Sequence, residues 1–147
     1  MYKKVLVPLD GSDLAECVLP EVRKLARGNV VGEFILLNVV EIPPVVLADG
    51  FDSVSLKNSL MNRAKMYLSE MQSDLNAEGL KVQTDVIVGT TAHSIIKYAA
   101  ENDIELIIIA THGYTGIKRV MFGSVALKVL HDAHVPVLLI RPEYFAK

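Results

Sequence analysis

Four stretches of the chain are near-continuous aliphatic runs: Lys4–Leu9, Glu33–Val40, Leu106–Thr111 and Val135–Ile140. Runs of that length and continuity predict strands buried on both faces, as in a parallel sheet. A fifth stretch, Lys81–Val88, alternates apolar with polar residues and predicts a half-exposed edge strand. Helical spacing fills the gaps. Ala15, Val18, Leu19, Val22, Leu25 and Ala26 share one face of a first helix, with Ser12 or Asp13 to start it, Gly28 to end it and a bend expected at Pro20. A second helix is predicted over about 55–78, its stripe carrying Leu56, Leu60, Ala64, Leu68, Met71 and Leu75, with Gly79 as its stop. A third covers 91–102 with Ala92, Ile95, Ile96, Ala99 and Ala100 inward. A fourth covers 124–131 with Ala126, Leu127 and Leu130 inward.

The alternation β-α-β-α-β-α-β-α-β specifies an α/β fold with a mostly parallel five-stranded sheet and helices on both faces. Right-handed crossovers allow the strand order 3-2-1-4-5, which puts a switch point between the first and fourth strands. Ligands bind such sheets there, beyond the carboxyl ends of the strands. The residues to inspect are those after Leu9 and after Ala110. The long irregular stretch 41–54, with Pro43-Pro44 and Asp49-Gly50, reads either as a loop near the ligand mouth or as part of a partner interface.

Composition narrows the class. The 147 residues make a single domain, 1–147, and the net charge of −2 argues against a coat for nucleic acid or an anionic membrane. One cysteine, Cys17, excludes a disulfide framework or a cysteine-based zinc site and fits a reducing compartment. The apolar run at the N-terminus is too short for a signal peptide and none reaches the roughly 20 residues of a membrane span, so the expected location is cytoplasmic.

The loop after the fourth strand carries the candidate chemistry. Gly113 and Gly116 let a ligand approach the backbone, and Gly123-Ser124 opens the fourth helix as a candidate anion site, with Lys118 and Arg119 between. The alternative is that the glycines end a strand, Ser124 caps its helix and the basic pair is solvated. After the first strand, Asp10 either faces ribose hydroxyls or caps the first helix.

With these residues in place the chain resembles the universal stress protein family across nearly its whole length. The likeness rests on VLVPLDGS, ILLNVVE, IIIATHG and VPVLLIRP, and on a G-x2-G-x9-G-[ST] motif matched by Gly113, Gly123 and Ser124, with Ala110 in place of the first glycine. The resemblance implies a Rossmann-like three-layer sandwich of the adenine nucleotide alpha hydrolase-like type. It also implies a site for ATP, ADP or AMP, with Mg²⁺. Asp10 would face the ribose, with Pro8 and Leu9 lining the approach, and Val39 would offer its backbone to adenine. Ala110, Thr111, His112, Gly113, Thr115 and Gly116 would line the sugar and phosphate path. Gly123, Ser124 and Val125 would receive the phosphates.

Other chemistry fares worse. His131 and His134 favour a helix C-terminus over a metal, so no metal site is assigned. His93 reads as exposed, and Cys17 as a small packed residue rather than a redox centre. There is no nucleophile elbow, no G-x4-G-K-[ST] and no S-G-G-x-D-S loop, and no catalytic residue is identified. The expected function is therefore an ATP-binding regulatory stress protein. A nucleotide-free interaction module and a slow ATPase are the alternatives. The apolar last strand predicts a homodimer through antiparallel pairing of two copies, the chain's own Tyr144-Phe145 tail being the alternative cover. Any further protein partner is unspecified.

Overall fold

The computed structural model describes residues 1–42, 53–111 and 123–142. Strands β1 (Tyr2–Pro8), β2 (Val31–Val40), β3 (Val82–Val88), β4 (Leu106–Ala110) and β5 (Val137–Ile140) form one parallel sheet in the order β3-β2-β1-β4-β5. Helices α1 (Leu19–Arg27), α2 (Ser53–Ala77), α3 (Thr91–Glu101) and α4 (Ser124–Asp132) alternate with them. This is the α/β, Rossmann-like architecture with the strand order expected from the hydrophobic pattern.

Period-two alternation along the central strands feeds two separate cores. Val5, Val7, Phe34, Leu36 and Ile108 pack with Val22 of α1 and Leu68 and Leu75 of α2. Leu6, Ile35, Leu37, Ile107 and Ile109 pack with Ala92, Ile95 and Ala99 of α3 and Val129 of α4. Strand β3 is an edge and is half-exposed, as its alternation predicted.

Local chemistry corrects four details. Pro20 does not bend a helix: a 3-10 turn (Ala15–Val18) precedes α1, and Pro20 falls in the first turn of α1, where its missing N–H has no intrahelical partner to lose. Strand β5 begins at Val137 rather than Val135. Ile107 N–H donates to the Pro136 carbonyl at 3.0 Å, but Pro136 has no N–H to continue the ladder. Ala100 of α3 is exposed. In α4 the buried positions are Ala126 and Val129, while Leu127 and Leu130 are 53% and 47% exposed. The helix face is rotated by about one residue from the one its leucines suggested. Of the irregular stretch expected over 41–54, residues 43–52 lie outside the described residues, as does the Tyr144-Phe145 tail, and α2 already begins at Ser53.

Candidate functional site

A cavity of about 530 Å³ opens at the switch point, beyond the carboxyl ends of β1 and β4. That volume lies in the range of small-molecule sites. Its lining includes Pro8, Leu9, Asp10, Val39, Ala110, Thr111, Gly123, Ser124 and Val125, so nine of the positions singled out from sequence converge on one space. His112, Gly113, Thr115 and Gly116, together with Lys118 and Arg119, lie outside the described residues.

The floor is held by backbone and amide bonds. Leu9 N–H donates to the Leu37 carbonyl at 2.9 Å, and Asn38 Nδ2 donates to the Leu9 carbonyl at 3.0 Å. The chain then turns sharply at Gly11, whose φ of +87° suits glycine. Asp10 Oδ1 accepts hydrogen bonds from Ser12 N–H at 2.8 Å and Ser12 Oγ at 2.5 Å. Ser12 Oγ accepts in turn from Ala15 N–H at 3.1 Å. Ser12, not Asp13, therefore starts the 3-10 turn, and Asp10 braces the serine while lining the cavity.

The opposite wall begins at Thr111, which is buried. Thr111 N–H donates to the Ile140 carbonyl at 2.8 Å, and Gly123 N–H donates to the Thr111 carbonyl at 2.7 Å. The Gly123 amide is thus committed to the protein, contrary to its expected role as a free donor. Ser124, Val125 and Ala126 occupy the first turn of α4, where a helix supplies no carbonyl to the N–H groups. These are the donors that α4 presents at its positive end. Gly123 has φ −58° and ψ 136°, an extended geometry open to any residue, and Ser124 follows the N-cap rather than serving as it. Ala110 belongs to β4 and is absent from the positive-φ residues, so its position in the motif does not require glycine for conformational reasons.

Sequence reasoning missed Glu41, Thr90, Thr91, Ala92, Ile95 and Lys128, which also line the cavity. Glu41 follows Val39 by two residues at the end of β2, and its Oε1 accepts from Thr91 N–H at 2.8 Å. Lys128 follows Ser124 by four residues, which places both on one face of α4. Those spacings were the available signals. Elsewhere, Cys17 is half-buried against the α1–α2 core, with Sγ 3.9 Å from the Ile140 carbonyl. Burial pushes its thiol pKa up to about 11. Buried surroundings and the Glu16 carboxylate, which accepts from Tyr67 Oη at 2.8 Å, hold the Tyr67 phenol well above its ordinary value. His131 Nδ1 lies 2.6 Å from Asp132 Oδ1, and no group of three metal-ligating side chains occurs among the described residues.

The Universal stress protein family model matches residues 1–141. The universal stress protein MJ0577 of Methanocaldococcus jannaschii is 31% identical, the alignment covering 96% of each chain. The solved structure of MJ0577 superposes with a TM-score of 0.85 at 32% identity, covering 97% of both chains. The universal stress protein of Archaeoglobus fulgidus, solved in complex with dAMP, is 26% identical with a TM-score of 0.68, covering 95% of this chain and 98% of that one.

Proposed function

The chain belongs to the universal stress protein family, and on that premise we propose that it binds an adenine nucleotide, ATP in particular, in the switch-point cavity and acts through nucleotide occupancy. The observation that carries this reading is the convergence of Pro8, Leu9, Asp10, Val39, Thr111, Ser124 and Val125 on one cavity of nucleotide-site size. The dAMP complex of the Archaeoglobus protein supports the ligand class.

In this assignment the apolar side of the cavity, Val39 with Ala92 and Ile95, takes the base, and the Val39 backbone reads its edge. Asp10 accepts hydrogen bonds from the ribose hydroxyls. The first-turn N–H groups of α4 and the Ser124 hydroxyl receive phosphate, where the helix dipole favours an anion. Mg²⁺ would enter with the phosphates as their counter-ion. The protein works in the cytoplasm as a homodimer that pairs β5 with β5. That strand ends the sheet, its residues are only half-buried, and the helix before it, α4, leaves Leu127 and Leu130 exposed.

The direct test is to denature the purified protein and identify released nucleotide by mass spectrometry, alongside thermal shift under millimolar ATP and Mg²⁺. Adenine nucleotide in the supernatant, or a melting point raised by ATP, is the expected outcome. A chain that releases none and does not shift is an interaction module instead.

A further inference from the structure

We infer that Lys128 reads the phosphate chain of the bound nucleotide, favouring ADP and ATP over AMP. The inference rests on the nucleotide reading above and adds to it a cation that the sequence motif does not contain.

Lys128 lines the cavity together with Gly123, Ser124 and Val125. It stands one turn beyond Ser124, and Cα–Cβ bonds on a helix tilt toward its N-terminus, so a rotamer change carries the ammonium back toward the first-turn N–H groups. Those groups are a fixed number of donors at one point. They hold one phosphate and have little reach for a second or third. A flexible ammonium four residues on is placed to meet the further phosphates, whose added negative charge it complements.

The Lys128 ammonium pairs at 3.0 Å with Asp132, another turn along the helix and away from the N-terminus. That pair is a weak competitor. It is solvent-exposed, with 56% and 39% of the two side chains accessible, and the basic residue precedes the acidic one, the less favourable order on a helix. Asp132 also has His131 at 2.6 Å, so its carboxylate keeps a partner when the lysine swings to phosphate. The structure thus provides a cation at the cavity wall whose pairing with Asp132 is cheap to give up.

The test is calorimetric titration of wild type, Lys128→Gln and Asp132→Asn with adenosine, AMP, ADP and ATP at one Mg²⁺ concentration. Lys128→Gln keeps the first two methylenes and an exposed polar end, so the fold persists, which circular dichroism verifies. It should weaken ATP and ADP by about tenfold while AMP and adenosine change by less than about twofold. Asp132→Asn, which frees the lysine, should tighten ATP by about twofold. Equal ATP affinity in Lys128→Gln and wild type overturns the inference and leaves the nucleotide site standing. Equal loss for all four ligands overturns it too, since that is a packing effect of the stem. A wild type that binds none of the four overturns the nucleotide reading itself, and the inference with it.

Discussion

Glu41, at the end of β2, accepts a hydrogen bond from the backbone N–H of Thr91 at 2.8 Å and so caps a helix fifty residues further along the chain. Thr90, the residue in the N-cap position of α3, makes no side-chain bond to that helix. The cap comes from the end of the neighbouring strand. Replacing Glu41 by Ala should therefore cost about 1 kcal/mol of stability, and Glu41→Gln, which keeps an acceptor oxygen, should recover most of it. Urea midpoints read the difference, and an unchanged midpoint in Glu41→Ala would show the bond to be worth nothing.

Gly123→Val separates backbone tolerance from ligand access. Its φ and ψ suit valine, so the variant should fold and melt within a few degrees of wild type. A branched side chain at the mouth of the phosphate subsite should nevertheless weaken ATP by at least about tenfold. Wild-type affinity in the folded variant would remove the phosphates from this end of the cavity.

Ser124→Ala should show the complementary pattern. No side chain caps α4, so the melting point of the nucleotide-free protein should not move. Loss of a hydroxyl bonded to phosphate should lower ATP binding by about 1.5–3 kcal/mol. A fall in the nucleotide-free melting point with unchanged ATP affinity would make the hydroxyl structural.

Cys17 gives a measurement independent of nucleotide. Its thiol pKa is about 11 against an ordinary 9.0, because burial disfavours the thiolate. Below pH 9 that leaves about a hundredfold less thiolate, so iodoacetamide should label the native protein about a hundredfold more slowly than the urea-unfolded chain at pH 8. The raised value also fixes the sign of the linkage. This group costs nothing below pH 9, and stability should fall as the pH rises from 9 towards 11, because the unfolded chain then releases its proton first. Equal labelling rates in the two states would place the thiol at the surface.

Pairing through β5 should give a particle of twice 16.1 kDa by light scattering at micromolar concentration. A mass near 16.1 kDa would leave the strand edge to some cover within the same chain.

The sheet order was legible because Lys4–Leu9, Glu33–Val40 and Leu106–Thr111 admit little but buried parallel strands, and the switch point followed from it. The site was legible where its residues sit directly at strand ends, as Asp10 and Thr111 do. It was not legible at Glu41 and Lys128. One acts on the helix that follows the neighbouring strand, fifty residues further along the chain, and the other is an exposed helical lysine whose spacing acquires meaning only once Ser124 faces a cavity. Leu127 and Leu130 misled for a related reason. Apolar spacing marks a face without saying whether the sheet covers it, and here Ala126 is buried as expected while Val129, not the leucines, joins it.

The 2.7 Å bond between Gly123 N–H and the Thr111 carbonyl clasps the two ends of everything between them. The start of α4 is thereby moored to the end of β4. Anything that meets the first turn of that helix also bears on the central sheet, through a single backbone bond.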